Sequence, residues 1–411
     1  MKKLRRPYLD EKKDDYNPFS LRPLINKQFL WGLVVLAVTI GLAQIMMYQA
    51  SENQSFMGQS SHPNLPVLEG GKLANLPAPT GNNAVAYLPL DRGEGIFYSF
   101  SGLGYGKTNQ DIHSRAYAYD TREGQWQRLP EVPGNKNRLA SIAATVDDKI
   151  YVFGGYTVAE DHSEVSTPET YILNTSTNQW QRGPDMPIPV DDSIALVYQD
   201  RYIYLVSGWH NSGNVQDVQV LDTGTMTWAV ATAFPGNALF GHAGGIVGNK
   251  ILVLDGVKVL NEGTNQRTYG LSNDAFVGTI NPDDPTDISW QQSPPHPGPA
   301  LYRAAAAGDE NMGKVIIAGG SNNPYNYNGT GYDKNPSEPE AAVLSFDMET
   351  LTWAVEGALP LPTMDHRGLI KHQDRYYTIG GLEAGQKVSD HFGWFKLPTP
   401  NSSTLDARIE D

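Results

Sequence analysis

Six short apolar runs end on glycine, a tryptophan follows each of the first five, and a proline-bearing turn follows each tryptophan. Together these predict an all-β fold, a six-bladed β-propeller, and a separate apolar run at 29–48 predicts one N-terminal transmembrane helix before it. The runs are Ile96–Phe100, Ile150–Phe153, Ile203–Val206, Ile251–Leu254, Val315–Ala318 and Tyr376–Ile379. They lead into Ser101-Gly102, Gly154-Gly155, Ser207-Gly208, Asp255-Gly256, Gly319-Gly320 and Gly380-Gly381, so the period is 48 to 64 residues. Self-similarity at that period marks a repeat architecture.

Each unit reads in the same order: a small-residue strand, a hydrophilic turn, the apolar strand, a variable loop, a third strand, then the tryptophan strand. Third strands are expected at 116–119, 170–173, 218–221, 275–278 and 342–345, and the tryptophans are Trp126, Trp180, Trp228, Trp290 and Trp353. Four short strands per unit make one blade. The glycines are expected where innermost strands of neighbouring blades crowd together and leave no room for a Cβ. The sixth unit lacks a tryptophan strand. Residues 68–80 are expected to supply it as the outer strand of the last blade, with Leu73 in the place of Trp126. That pairing closes the ring and removes the open edge. An open array of sheets is the alternative.

The expected organisation is a basic tail at 1–28, a membrane span at 29–48, a flexible spacer at 49–67, the propeller at 68–397 and a tail at 398–411. Residues 29–48 are nearly all apolar and about 20 such residues span a bilayer core. The basic flank precedes the span, which puts the N-terminus in the cytoplasm and the propeller outside. The location expected is therefore a bacterial inner membrane, single-pass, with a periplasmic propeller; a cleaved signal peptide is the alternative. The chain has no cysteine, which excludes a disulfide scaffold. Of 31 basic and 45 acidic residues, positions 1–50 hold 8 and 4, which leaves 23 and 41 beyond, a formal charge of −18. Such a domain repels phosphate backbones, so nucleic acid is excluded as a partner.

Strand parity brings the starts of the innermost strands and the loops after the glycines to one face. The starts are Asn83, Arg138, Asp192, His242, Arg303, and His366 with Arg367. All are polar, and a closed ring gathers them at the mouth of the central channel. Arginine offers a planar fork for carboxylates, so the expected partner is a small polar or anionic ligand. The loop at 257–273 carries Glu262 and Arg267. The loop at 321–339 carries Tyr325, Asn326 and Tyr327, amides and phenol rings of the kind that bind sugars. Residues 156–168, with Glu160, Asp161, His162 and Glu164, show no metal-ligand spacing. No nucleophile triad, metal motif or phosphate loop is visible, which favours binding over catalysis, and no cofactor is expected. If there is acid–base chemistry, Glu262, Asp192, His242 and His366 are the candidates. A scaffold for envelope proteins is a further alternative.

Residues 68–397 resemble the kelch-repeat propellers through the glycine pairs, tryptophans and proline turns above. Within that class the chain is similar to bacterial envelope propellers of the N-acetylneuraminate epimerase type, which are sialic-acid mutarotases. The resemblance implies that Arg138 and Arg303 bind a sugar carboxylate. It departs from that pattern in the fourth blade, where Val257 rather than an acidic residue follows Gly256, and Glu262 and Arg267 come later in the loop. Galactose oxidases resemble it in repeat type, but their copper radical site needs a tyrosine–cysteine crosslink that this chain cannot form.

Overall fold

The computed structural model describes residues 64–261 and 267–398. The expected span at 29–48 and the candidate Glu262 lie outside the described residues. Within them, no helix is long and apolar enough to cross a membrane.

The described residues form six four-stranded antiparallel sheets, each running from an innermost strand at the axis to an outermost one. Blade 1 is Ala84–Pro89, Gly95–Leu103, Ile112–Asp120 and Gln125–Leu129. Blade 2 is Ile142–Val146, Lys149–Phe153, Thr170–Asn174 and Gln179–Arg182. Blade 3 is Ile194–Tyr198, Tyr202–Val206, Val218–Asp222 and Thr227–Ala231. Blade 4 is Ala243–Val247, Lys250–Leu254, Ala275–Asn281 and Asp284–Ser293. Blade 5 is Ala305–Asp309, Lys314–Ala318, Ala342–Asp347 and Thr352–Ala358. Blade 6 takes Ile370–His372, Arg375–Ile379 and Phe392–Phe395 from the end of the chain and Gly70–Lys72 from its beginning.

Closure by the first strand is as the sequence predicts, but its register differs. Gly70 pairs with Phe395, which itself pairs with Tyr376. Trp180 holds the same relation to Leu173 and Ile150 in blade 2. Gly70, not Leu73, therefore stands in the tryptophan's place. The reason is steric: a Cβ on Gly70 would lie 2.4 Å from Cγ of Pro360 and 2.4 Å from the Trp394 carbonyl oxygen.

The hydrophobic core is divided into wedges between blades rather than held within them. One cluster joins Tyr98, Phe100, Val152 and Leu173 of blades 1 and 2, and another joins Phe97 and Tyr119 to Tyr377 and Phe392 across the closing seam. Each tryptophan points back into the preceding blade. Its indole N–H donates to the carbonyl at the turn after that blade's outer strand: Trp126 to Ala74 (2.8 Å), Trp180 to Pro130 (2.9 Å), Trp228 to Pro184 (3.1 Å), Trp290 to Thr232 (3.3 Å) and Trp353 to Pro294 (2.8 Å). The periodic Trp-turn spacing is thus an inter-blade fastening: buried area from the ring, direction from its one donor.

The glycine pairs act at the other end of the wedge. A Cβ on Gly319, where φ is +68°, would lie 2.2 Å from the Thr363 carbonyl oxygen of the next blade. Three blades carry a side chain at this position instead, Ser101, Ser207 and Asp255, and the last two use it as a crosslink. Ser207 Oγ accepts the Leu239 N–H (2.8 Å), and Asp255 Oδ2 accepts the Leu301 N–H (3.0 Å). Asp255 also meets His296 Nε2 at 2.8 Å, while His296 Nδ1 lies 2.9 Å from the Pro297 carbonyl. A carbonyl and a carboxylate only accept, so both ring nitrogens carry protons and His296 is an imidazolium. Burial alone would lower its pKa, but the Asp255 carboxylate raises it to about 9. Burial pushes Asp255 itself upward.

Two outcomes are expected. Gly319→Ala adds a clash and a strained left-handed backbone, and it should lower stability by about 3 kcal/mol, read as a shift in the urea midpoint. The His296 pair should also make stability pH-dependent. Its folded pKa exceeds the unfolded 6.5, so its contribution is full below pH 6.5 and is lost as pH rises through 9, on the order of 3 kcal/mol. Urea midpoints of the Asp255→Asn/His296→Gln double variant should be flatter than wild type across that window.

Candidate functional site

The approach to each innermost strand builds the site. One residue there forms an antiparallel bridge to the chain just past the glycine signal: Gly81 to Leu103, Leu139 to Tyr156, Asp191 to Trp209, Phe240 to Val257, Tyr302 to Ser321 and Met364 to Leu382. The next residue turns into the left-handed region in every blade. These are Asn82, Ala140, Asp192, Gly241, Arg303 and Asp365, with φ between 49° and 72°. Their backbones hand hydrogen bonds around the axis. Asp192 N–H donates to Ala140 O (3.3 Å), Gly241 to Asp192 (2.7 Å) and Arg303 to Gly241 (2.7 Å). In blade 6 the link comes one residue later, from His366 N–H to Arg303 O (3.1 Å). Asn82 completes the belt with its side chain, accepting the Ala140 N–H (2.7 Å) and donating to Asp365 (3.3 Å).

Four charges lie buried in this belt. The Arg303 guanidinium donates to Asp192 Oδ2 (2.5 Å) and Asp365 Oδ1 (2.9 Å), and Arg367 forms an ion pair with Asp192 Oδ1 (2.5 Å) and donates to Asn82 Oδ1 (2.8 Å). Asp192 and Arg303 are each 3% exposed and Asp365 is fully buried. Burial raises Asp192, but Arg303 and Arg367 outweigh it and hold the carboxyl below its usual range. At Asp365 burial prevails over the same two arginines, and its pKa rises. Two buried guanidiniums thus face two buried carboxyls here.

A cavity lies on each side. An axial channel of 390 Å³ runs along the small residues of the innermost strands and ends at Asp192, His242, His366 and Arg367. Burial lowers His242 to about 4 and His366 to about 3, so both rings are neutral at pH 7. On the loop side lies a cup of 80 Å³, bordered by Asp191, Asp192 and Arg303 below and by Trp209, Tyr269 and Tyr332 around it. Tyr269 and Tyr332 stack at 4.4 Å, and Trp209 meets Phe240 edge-on at 5.4 Å. Tyr156, Glu164, Asn326 and Tyr327 complete the wall. Asp192 borders both cavities.

The expected site residues thus separate into groups. Asp192, Arg303, Asn326 and Tyr327 come together at the cup. Tyr325 lies behind it, fully buried, edge-on to Tyr302 at 5.0 Å and beside Arg303. Arg267 sits at the rim, over Trp209 at 4.9 Å, donating to Ser212 O. His242, His366 and Arg367 face the channel. Arg138 is elsewhere: its guanidinium bonds Glu169 (3.2 Å), Thr167 (3.1 Å) and Gly154 O (3.4 Å) in its own blade. Asn83 ties blade 1 to Ile379 of blade 6.

Sequence reasoning missed Asn82, Asp191 and Asp365, each next to a residue it chose. Asp191 is the most consequential. It is buried, its Oδ2 accepts the Ser166 hydroxyl (2.7 Å), and burial followed by the charge of Asp192 raises its pKa well above the usual carboxylate range. Two adjacent buried carboxyls shifted in opposite directions therefore stand at the floor of the cup. The available signal was the Asp191-Asp192 pair itself, since neighbouring acids in one cleft drive their pKa values apart.

Comparison with known proteins agrees with the fold. The KLHDC2/KLHL20/DRC7 Kelch-repeats domain matches residues 93–261. Kelch-like protein terF of Aspergillus terreus is 24% identical over 294 residues, 69% of this chain and 58% of that protein. Kelch domain-containing protein 1 of Homo sapiens is 26% identical over 237 residues, 48% of this chain and 56% of its own length. The chain thus spans little more than half of either. N-acetylneuraminate epimerase of Pasteurella multocida is 24% identical over 314 residues, 64% of this chain and 78% of the epimerase. The solved structure of YjhT superposes with a TM-score of 0.60 at 16% identity, covering 80% of this chain and 97% of that one. With its glycine and tryptophan repeats and its six blades, the chain is a β-propeller of the kelch-repeat type, distantly similar to these proteins.

Proposed function

We propose that the chain binds a small hydroxylated ligand, a sugar or sugar acid, in the aromatic cup at the loop end of the axis. The observation that supports this most is the pairing of ring faces with a polar floor. Trp209, Tyr269 and Tyr332 offer surfaces on which sugar C–H faces stack, while Asp191, Asn326 and Tyr327 offer hydroxyl partners. The cup's 80 Å³ amounts to two or three waters, at about 30 Å³ each, so it takes one edge of a sugar ring with the remainder against the loops. Arg303 and Arg367 already hold Asp192 and Asp365, so the floor has no surplus positive charge. Neutral sugars should therefore bind at least as well as sugar acids.

A glycan array followed by calorimetry tests this. Asn326→Ala, at an exposed position, should weaken the best ligand at least tenfold without moving the melting temperature, and Tyr327→Ala, at a half-buried one, should weaken it as much with a small fall in melting temperature. Unchanged affinity would remove the cup as the site.

A second reading, sugar mutarotation, is favoured by the Asp191–Asp192 pair and by the similarity to N-acetylneuraminate epimerase. Ring opening needs a base at the anomeric hydroxyl and an acid at the ring oxygen. Asp192, held ionised, would take the proton, and Asp191, held neutral, would supply one. NMR of freshly dissolved α-N-acetylneuraminate would then show faster anomer exchange than buffer, slowed in Asp191→Asn by about 100-fold. Exchange at the buffer rate with wild-type protein would eliminate this reading and leave binding standing.

A further inference from the structure

Blade 6 breaks a rule that the other five obey. At the tryptophan position it has Gly70. One pair further along the same face, the third strands carry Tyr117, Tyr171, Gln219, Phe276 and Leu344, each opposite the second-strand residue two beyond the tryptophan's pair. In blade 6 that position is Gly393, opposite Thr378. Two bulky side chains are therefore missing from one wedge, where blade 6 faces blade 5. Pro360 closes on Gly70, but the space beside Gly393 is open. A cavity of 280 Å³ lies there, walled by Leu359, Pro360, Leu361, Thr378, Trp394 and Phe395. Leu361 is 39% exposed, so the wall reaches the surface.

The empty seat keeps its polar fitting. In five blades the preceding turn presents a carbonyl to the indole N–H at 2.8 to 3.3 Å. Ala358 pairs with Ala342 as Ser293 pairs with Ala275. The carbonyl of Leu359 therefore corresponds to that of Pro294, which receives Trp353. Gly70 leaves it without an indole partner. The chain cannot fill the seat from this strand, because a Cβ on Gly70 meets Pro360 at 2.4 Å. A ring can enter only from outside. Lys72 borders the cavity and has no ion-pair partner among the described residues. It complements an acidic group next to the entering ring.

We propose that this seam is a docking site for a tryptophan side chain of a partner polypeptide, one with an acidic residue beside the tryptophan. The indole lies against Pro360 and Phe395 and donates its N–H to Leu359 O, as the chain's own tryptophans do at the other seams. Recognition then depends on shape, on one donor and on charge. The site is separate from the axial cup and does not depend on what the cup binds.

Saturation-transfer NMR on the detergent-solubilised full chain tests this with three probes: N-acetyltryptophanamide, N-acetyltryptophan with its free carboxylate, and N-acetylphenylalaninamide. The carboxylate probe should bind tightest, the amide next and the phenyl probe at least fivefold more weakly. Gly393→Tyr should weaken both indole probes at least tenfold. A Cβ there has only ordinary contacts, 3.5 Å to Thr378 and 3.9 Å to Gly71 O, so the variant is expected to fold; its melting curve checks this. Gly385→Ala, on a distant loop with nothing near its Cβ, serves as the control with unchanged binding. No indole signal with wild type, equal signals for indole and phenyl probes, or full binding by folded Gly393→Tyr would each overturn the proposal. So would signals that fade as protein concentration rises, which would assign the seat to a second copy of this chain.

Discussion

Four buried charges at the axis hold the ring together and define what can happen there. Arg303 reaches carboxylates from blades 3 and 6, and Arg367 reaches the same blade 3 carboxylate and the blade 1 amide. Blade 6 supplies one long pair of its own, Arg367 to Asp365 at 3.8 Å, but the three shorter pairs all cross between blades. Those three exist only when the blades are in place, and the desolvation they cost is offset only by that arrangement. The belt also sets the electrostatics on both sides. Its arginines hold Asp192 below the usual carboxylate range, and burial followed by the charge of Asp192 raises Asp191, while burial lowers the two channel histidines.

Most of the fold was legible because its determinants are local and repeated. Glycine is required where a strand ends against its neighbour's backbone, and tryptophan where a ring must reach one blade back. Both signals survive the variation in loop length. The belt was not legible in the same way. Its position counts from the bridge past the glycines, and the hairpin between is longer in blade 1, where Asp91–Gly93 adds a turn, than in blade 2. A shift of one residue reverses which side chain faces the axis. Asn83 was therefore chosen over Asn82, and His366 over Asp365. Arg138 shows a different limit. Its polarity suggested a channel residue, yet a long side chain reaches whichever acid its own sheet provides, and Glu169 is nearer than the axis.

The two cavities at the axis and the one at the closing seam have different origins. The channel exists because six innermost strands of small residues cannot meet. The cup exists because loops from several blades lean aromatic rings over the belt. The seam cavity exists because the last blade is assembled from both ends of the chain, and its borrowed strand carries glycines instead of the usual ring. Repetition makes that third case readable, since five filled wedges define what the sixth lacks.

Borrowing also orders events in time. Gly70–Lys72 pairs only with Phe392–Phe395, more than three hundred residues away. During synthesis the first strand has no partner until almost the whole propeller has emerged. The blade 1 face that carries Phe97 and Tyr119 waits just as long for Tyr377 and Phe392. Five blades can stack on one another in the order they are made, by short-range pairings, but the final step is a long-range closure with a high loop entropy. A ribosome-bound propeller is thus an arc with two sticky ends, and the same pairing that seals a finished molecule could join two unfinished ones.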